Sequence, residues 1–264
     1  MSTIGTPIEQ PLTIRLQMPR TRLHVEGPLI ANSELDLEGN AVRYIGRVLR
    51  LAPNDEITLF DGRGGEYQAT IRSISKNKVT VLVAEHIDRD VESPLAIHLL
   101  QGISRGERMD VVVQKATELG AQKITPLITD HSVVKLEPKR AEKRQRHWQG
   151  IAASACEQCG RNTLPRIESP QAFRTWLGEN VDSPGTRVVL RPGATTSLKS
   201  LDVVDRHIVL LVGPEGGFSE NEYELAQATG FNEIGFGRRI LRTETAALAA
   251  IAAVQTLYGD LAPD

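Results

Sequence analysis

Short apolar runs alternate with stretches of helical periodicity over the C-terminal two thirds of the chain. Apolar positions recur at helical spacing from Arg108 to Leu119, and Gly120 follows as a helix stop signal. An apolar run, then such a helix, then another run is typical of a mostly parallel sheet with covering helices. The predicted strands are residues 95–102, 123–128, 187–190, 207–212 and 233–236.

Before residue 88 the pattern is one of short strands and turns. Two runs of alternating apolar and polar residues, 55–60 and 67–71, flank a glycine-rich turn, which predicts a hairpin. A further strand over 78–84 carries three valines on one face, and residues 41–51 have helical spacing. Together these elements predict a small, barrel-like β-rich domain.

The pattern changes near residues 88–94, and this change divides the chain. We predict a disordered polar tail at residues 1–11, a first domain over 12–90 and a second domain over 91–264. With 264 residues, of which 40% are hydrophobic and 24% charged, the chain can bury substantial cores without disulfides. No apolar run approaches the roughly 18 residues that span a bilayer, and the first residues lack the apolar core of a signal peptide. These features predict a cytoplasmic protein with no membrane partner.

Two loops near the C-terminus are the strongest candidate for a ligand site. The first, Gly213–Gly217, joins an apolar strand to a helix that Ser219 and Glu222 open as a capping box. The second, residues 237–245, precedes an alanine- and leucine-rich helix over 246–257 that we predict to be buried nearly all round. Loops at the carboxyl ends of parallel strands meet in one crevice, so both loops are expected to border the same pocket.

The chemistry of the Gly213–Gly217 turn favours a neutral or cationic ligand. A glycine-rich turn before a helix most often holds phosphate. In this turn no lysine follows the glycines, and Glu215 would repel a triphosphate. S-adenosylmethionine (SAM), which carries a sulfonium, fits better. Two alternatives stay open, namely glycines that serve only the geometry of the turn and a hydrolase of nucleotide phosphates.

A net charge of −2 gives no overall electrostatic case for a nucleic-acid partner. Any contact with RNA must therefore come from local basic patches. One patch lies in the first domain, and another covers residues 135–147, with six Lys or Arg against two Glu. Such patches either grip RNA phosphates or form a solvated basic face. The candidate RNA contacts in these patches are Arg20, Arg22, Arg47, Arg50, Lys139, Arg140 and Lys143.

Cys156 and Cys159 form a CxxC pair. A structural zinc site needs four ligands, and the sequence offers neither a second such pair nor a nearby pair of histidines. Ala152, Ala153 and Ala155 lie just before Cys156, which indicates a helical face with small residues. No metal site is predicted.

Four motifs along the chain carry a resemblance to a known family. They are Gln114–Gly120, Glu157–Gln158 with Arg161, Gly213–Phe218 and Arg239–Ala246. Together and in this order they resemble the RsmE-type ribosomal RNA uridine-N3 methyltransferases of the SPOUT superfamily. The first domain resembles the PUA-like barrel of that family, with Val48–Arg50 and Leu59–Gly62 in place, so the resemblance covers nearly the whole chain.

The resemblance implies an α/β fold in which a PUA-like β-barrel precedes a SPOUT-type, knotted and mostly parallel sheet with flanking helices. It implies a homodimer, SAM held in a trefoil knot, and a target at uridine 1498 of 16S rRNA in the assembled small ribosomal subunit. It also implies an RNA or interface contact at Arg161. The implied cofactor contacts are Leu190, Arg191, Pro192, Gly193, Gly213, Pro214, Glu215, Gly216, Gly217, Phe218, Ile240, Leu241, Arg242, Thr243, Thr245 and Ala246.

The chemistry of uridine methylation suggests two catalytic candidates. As the proton leaves N3 of uracil, negative charge spreads to O2 and O4, and a positioned cation would stabilise it. Arg242 is the candidate cation, because its loop is expected to border the methyl donor. Glu244 is a candidate general base, although at the start of a helix it could simply complement the helix dipole. A non-catalytic RNA-binding module with a dead pocket and a SPOUT methyltransferase acting on transfer RNA remain alternatives.

Overall fold

The computed structural model describes residues 21–132, 137–181 and 183–262. It arranges them around two β-sheets. The predicted tail at residues 1–11 and the predicted RNA contact Arg20 lie outside the described residues. Within the described part of the chain, every helix is too short or too polar to serve as a membrane span.

The first sheet has five strands and curls into a half-barrel. The predicted hairpin is confirmed, because its two strands are antiparallel neighbours in the sheet, with Ile57 opposite Ala69. Val79, Val81 and Val83 are buried on one face, as predicted. The elements are β1 (Arg22–His24), β2 (Ser33–Glu38), α1 (Asn40–Arg43) with a π-helical continuation (Tyr44–Val48), β3 (Glu56–Phe60), β4 (Glu66–Ile74) and β5 (Lys78–Ile87). Their order in the sheet is β1-β3-β4-β5-β2, and two register shifts between β4 and β5 add to the curl.

The second sheet has seven strands, and all its pairings are parallel. Its order is β12-β10-β11-β6-β7-β8, with β9 also paired to β7. The elements are β6 (Ala96–Gly102), α2 (Arg108–Glu118), β7 (Ala121–Ile128), α3 (Pro138–Cys159), β8 (Arg166–Ile167), β9 (Gln171–Ala172), α4 (Phe173–Glu179), β10 (Thr186–Leu190), β11 (His207–Val212), α5 (Glu220–Ala228), β12 (Asn232–Ile234) and α6 (Thr243–Tyr258).

Helices cover both faces of this sheet. Successive residues of a strand point to opposite faces. In β6, Leu99 therefore joins a core with α2, α3 and α6, whereas Leu100 joins a second core with α4 and α5. Each leucine buried in this way contributes about 1.5–3 kcal/mol relative to an exposed one. The predicted α/β fold, with a mostly parallel sheet and flanking helices, is confirmed. The small β-domain predicted before it is present as a curled half-barrel.

The C-terminal elements differ from prediction in three respects. β12 ends at Ile234 rather than Phe236, because Gly235 leaves the sheet and its amide donates to the Thr196 carbonyl at 3.0 Å. α6 begins at Thr243, so part of the second predicted loop is helical. The prediction that α6 is buried nearly all round was wrong. One face carries the buried residues Ala247, Ala250, Ile251 and Val254, whereas Leu248, Ala249 and Ala252 are only half-buried and Leu257 is exposed.

Candidate active site

Three neighbouring parallel strands, β12, β10 and β11, end at one cavity of about 580 Å³. The loop after each strand forms part of its wall, and the first turn of α6 closes it. This is the crevice that open α/β sheets form at the carboxyl ends of their strands. The predicted site residues that line it are Leu190, Arg191, Pro192, Gly193, Gly213, Pro214, Glu215, Gly216, Gly217, Ile240, Leu241, Arg242, Thr243, Glu244 and Ala246.

Two predicted cofactor contacts are not part of this lining. Phe218 is buried in the core on the α4 and α5 side, where its ring lies 5.6 Å from Phe173 and 5.6 Å from Tyr223 between centroids. The chain turns at Gly217, so the next side chain points into the protein rather than into the cavity. Thr245 is exposed on α6 and likewise does not line the cavity.

The carboxylate of the Gly213–Gly217 turn is held by the segment that opens α2. Glu215 accepts hydrogen bonds from the amide of Arg105 at 2.9 Å and from the guanidinium of Arg108 at 2.6 Å. Burial alone would raise the pKa of Glu215, but these hydrogen bonds outweigh it, and the pKa lies below its ordinary value. The turn therefore presents backbone groups to the cavity while its charge is paired at the rim.

Gln101, at the end of β6, ties the two loops together, and sequence reasoning missed it. Its side-chain amide donates to the Thr243 hydroxyl at 2.9 Å, and that hydroxyl donates to the Gly213 carbonyl at 2.6 Å. Gln101 is fully buried. A glutamine inside a mostly apolar strand was the available signal, because a buried amide needs hydrogen-bond partners.

Glycines set the spacing of the cavity walls at two points. A Cβ on Gly102 would lie 2.4 Å from Cδ of Pro214, so β6 and the Gly213–Gly217 turn are in backbone contact. A Cβ on Gly235 would lie 1.9 Å from the carbonyl oxygen of Ala194, so the chain leaving β12 is in contact with the loop after β10. Neither position has room for a side chain.

The arginines around the cavity fall into two groups. Arg108 pairs with Glu215, and Arg191 pairs with Glu220 at 2.7 Å and Glu233 at 2.6 Å. By contrast, the arginine side chains of residues 237–242 make no hydrogen bond or ion pair with the described residues. They belong to Arg238, Arg239 and Arg242, and all three are exposed. Sequence reasoning selected only Arg242 among them as a functional residue.

Glu244 lies in the first turn of α6 and lines the cavity. Its Oε2 atom is buried and has no hydrogen-bond partner among the described residues. An unpaired buried carboxylate oxygen is costly, and such a group marks a place where a ligand donor or a positive charge would be stabilised. The cavity thus combines apolar walls with an acceptor that lacks a partner among the residues the structure describes.

Two predicted RNA contacts are instead buried where the two sheets meet. Arg22 pairs with Glu66 and donates to the Asn162 side chain, and only 8% of the Arg22 side chain is exposed. Arg161 pairs with Glu92 at 2.5 Å, with 5% of its side chain exposed. These guanidiniums neutralise carboxylates that are largely shielded from solvent, so neither arginine side chain is exposed for a contact with RNA. Arg22 and Arg89 also hold the pKa of Glu66 below its ordinary value, against the effect of burial.

The other predicted RNA contacts that the structure describes are exposed. Arg47 and Arg50 lie at and just after the π-helical turn of the half-barrel. Lys139, Arg140 and Lys143 lie in the first turns of α3. The two groups remain available for phosphate contacts. In the described ranges no group of three or more His, Cys, Asp or Glu side chains could hold a metal ion. Burial raises the pKa of Cys156 to about 12, so its thiol stays protonated.

Family profiles match both parts of the chain. The profile described as an RNA methyltransferase domain matches residues 91–255, and the profile described as an RNA methyltransferase PUA domain matches residues 37–84. The chain is therefore of the RNA methyltransferase class. It has the half-barrel, the parallel sheet and the cavity at the ends of the sheet's strands.

Individual relatives identify the family within this class of protein. Ribosomal RNA small subunit methyltransferase E of Buchnera aphidicola (subsp. Schizaphis graminum) is 35% identical over 91% of this chain and 97% of its own length. The protein of the same name from Bacillus subtilis is 33% identical over 85% of this chain and 92% of its own length. This chain belongs to the ribosomal RNA small subunit methyltransferase E family.

Solved structures agree with this assignment. A ribosomal RNA small subunit methyltransferase E from Neisseria gonorrhoeae, bound to SAM, superposes with a TM-score of 0.84 at 40% identity, over 92% of this chain and 99% of that one. A protein of Legionella pneumophila, in complex with SAM, superposes with a TM-score of 0.88 at 38% identity, also over 92% and 99%.

Proposed function

We propose that this protein transfers the methyl group of SAM to N3 of a uridine in 16S rRNA. The observation that carries the proposal is the cavity at the ends of β10, β11 and β12, in a chain whose family is ribosomal RNA small subunit methyltransferase E. By resemblance, the target is uridine 1498 in the assembled small subunit. An enzyme with this substrate acts in the cytoplasm.

The residues of the cavity fit SAM. The volume of about 580 Å³ lies within the range of small-molecule sites, roughly 300–1,000 Å³. Leu190, Val212 and Ile234 give it apolar walls for a flat ring, and the glycine turn offers backbone groups at close approach. The unpaired Oε2 of Glu244 offers an acceptor to a ligand that carries donors and positive charge. Bound SAM supplies an electrophilic methyl group on a sulfonium.

The residues of the chain would then orient the base and stabilise its charge. Uridine N3 becomes a nucleophile as its proton leaves, and the developing negative charge is shared with O2 and O4. Arg242 is exposed at the cavity and free of carboxylate partners among the described residues, so its guanidinium can donate to these oxygens. We assign Arg242 this electrostatic role. Glu244 is the candidate that accepts the N3 proton, directly or through water.

We infer that the chain is knotted and dimeric. The loop after β10 touches the chain on both sides of the cavity, since Gly235 contacts Ala194 and the Tyr258 hydroxyl of α6 donates to the Leu198 carbonyl at 2.8 Å. This arrangement fits a C-terminal segment that passes through the loop. The half-buried apolar residues of α6, among them Leu248, fit a face that a second copy covers.

We assign RNA binding to both parts of the chain, a PUA-like domain over residues 12–90 and a SPOUT methyltransferase domain over 91–264. Exposed basic residues stand on each, Arg47 and Arg50 on the first and the first turns of α3 on the second. Phosphate contacts from two domains fix the register of an RNA without reading its sequence. RNA affinity should therefore fall steeply with salt.

The test uses the purified protein, SAM labelled in its methyl group, and three RNAs. These are small subunits from a strain that lacks the family enzyme, the free 16S rRNA, and transfer RNA. We expect label in the small subunit and a reverse-transcription stop at the target uridine, because an N3-methyl group blocks base pairing. Label in transfer RNA alone would favour the other substrate class. Absence of any heat of SAM binding in calorimetry would favour the non-catalytic module.

The variant Arg242→Ala tests the role of the cation. Loss of one donor to a developing anion lowers kcat by about 100-fold or more. SAM affinity should change little, because the guanidinium acts on the base. Arg174→Ala is the matched control, since Arg174 is on α4 and makes only a long ion pair of 3.7 Å with Asp130. Unchanged kcat in Arg242→Ala would remove this residue from the mechanism.

A further inference from the structure

Residues 237–242, which we call the rim loop, carry an isoleucine that is almost fully exposed. Ile240 is 87% exposed, more than any other large hydrophobic residue in the described part of the chain, where Ile30 follows at 67%. A single exposed isoleucine needs no explanation in itself. Ile240, however, stands at the edge of the cavity, in a loop whose other side chains are mostly arginines.

The rim loop is fixed at both ends and projects between them. Just before the loop, the Gly235 amide donates to the Thr196 carbonyl at 3.0 Å, and the backbone of Gly235 is in contact with that of Ala194. At its end, the Thr243 hydroxyl donates to the Gly213 carbonyl at 2.6 Å. Gly237, with φ of +75°, has no neighbouring atom within 4 Å of its Cβ position. A tip held in this way presents its side chains outward without being packed against the protein.

The positive charge of the rim loop is not compensated by any residue that the structure describes. Arg238, Arg239 and Arg242 make no ion pair with any described residue, whereas Arg108 and Arg191 at the same cavity are each paired with glutamate. Three free guanidiniums around one exposed apolar side chain match a polyanion that also has flat apolar surfaces. RNA has both, in its phosphates and its bases.

We propose that the rim loop inserts Ile240 into the base stack beside the target uridine, while Arg238 and Arg239 hold the flanking phosphates. The proposal rests on the proposed function and adds to it a residue that moves the base. N3 lies on the pairing edge of uracil, so the base must leave its stack before N3 can reach the cavity. Apolar wedges that enter a base step serve this purpose in other nucleic-acid binding proteins. Ile240 is therefore a positioning residue rather than a catalytic one.

The experiment uses an RNA fragment of the target region with 2-aminopurine next to the target uridine, because this base fluoresces when it is unstacked. With the wild-type protein, SAM and the fragment, we expect fluorescence to rise on binding. Ile240→Ala should lose that rise and methylate the fragment at least about tenfold more slowly, since unstacking is then unassisted. Because Ile240 also lines the cavity, SAM affinity is measured by calorimetry and turnover is compared at saturating SAM. Ile30→Ala, which removes the other highly exposed isoleucine, is the control and should behave as wild type.

A second RNA separates insertion from other roles. In this RNA an abasic site replaces the base beside the target, so the stack is already open. We expect Ile240→Ala to methylate this RNA about as fast as the wild type does. At saturating SAM, an altered oligomeric state, normal fluorescence with normal turnover, or slow methylation of the abasic RNA would each overturn the proposal. If the wild type methylates the small subunit but not the fragments, the two modified sequences are placed in 16S rRNA and reconstituted into small subunits, and the same outcomes apply. If the wild type methylates neither the fragments nor the small subunit, the proposed function itself fails.

Discussion

Gly102 offers a direct test of how the cavity is built. In Gly102→Ala the new Cβ would lie 2.4 Å from Cδ and 2.5 Å from the nitrogen of Pro214, and 2.9 Å from the carbonyl carbon of Gly213. Gly102 does not have a positive φ, so alanine adds no backbone strain. The effect of the substitution therefore comes from the steric contact between the new Cβ and the Gly213–Gly217 turn. Because carbon atoms pack at about 3.5–4.0 Å, the Gly213–Gly217 turn must move by roughly 1 Å.

The cost of this movement can be bounded. Extra atoms in a packed site typically cost about 1–3 kcal/mol. If the turn relaxes outward in the free protein, binding of SAM must reverse the movement. The same free energy then appears as a roughly 5- to 150-fold weaker affinity for SAM. If the turn cannot relax, the cost appears instead as a lower free energy of unfolding.

Calorimetry with SAM, together with denaturant unfolding of the same samples, measures both quantities. Gly150→Ala is the matched control, because Gly150 lies within α3 and its Cβ position has no atom within 4 Å. That variant should keep its SAM affinity and gain up to about 1 kcal/mol of stability from helix propensity. Wild-type values of both SAM affinity and stability in Gly102→Ala would refute the role of this glycine in spacing the cavity walls.

Two further predictions concern buried hydrogen bonds and protonation. Thr243→Val keeps the shape of the side chain but removes the hydroxyl that donates to Gly213, so SAM affinity should fall by roughly 5- to 150-fold, which corresponds to the loss of about 1–3 kcal/mol for an unpaired buried group. Thr256→Val, on the exposed face of α6, should bind SAM normally, and equal affinities in the two variants would contradict the role of Thr243. Burial lowers the pKa of His98 to about 3, so the unfolded chain takes up a proton below its ordinary pKa of about 6.5 while the folded chain does not. The free energy of unfolding should therefore decrease as the pH falls from about 6.5 to about 3, by up to about 1.4 kcal/mol per pH unit. This dependence on pH should be weaker in His98→Gln. Urea titrations of both proteins at several pH values measure it.

Periodicity predicted the elements that carry a one-sided pattern. The apolar face of α2, with Met109, Val112 and Val113, could be read from spacing alone, and so could the valines of β5. It failed at α6, whose alanines and leucines are apolar on every side. The sequence alone does not tell which of those sides another part of the protein covers.

The cavity loops were predictable for a different reason, since glycines and a capping box mark the turns after strands. The contacts between the loops were not predictable. The bonds from Gln101 to Thr243, and the close approach of Gly235 to Ala194, join residues that are far apart in sequence. Charge suggested an RNA contact at Arg22, and the resemblance suggested one at Arg161. Neither distinguishes a guanidinium that faces solvent from one that neutralises a glutamate inside the protein.

The cavity is completed by residues 237–246, which are among the last to be synthesised during translation. Its first wall follows β10, but the closing wall comes from residues 237–246, and α6 is fastened through Tyr258 to the loop after β10. Translation that stops before α6 would therefore leave strands without a working pocket. The protein can therefore be active only after this helix has been synthesised. A nonsense mutation upstream of α6 should give an inactive product rather than a slow enzyme.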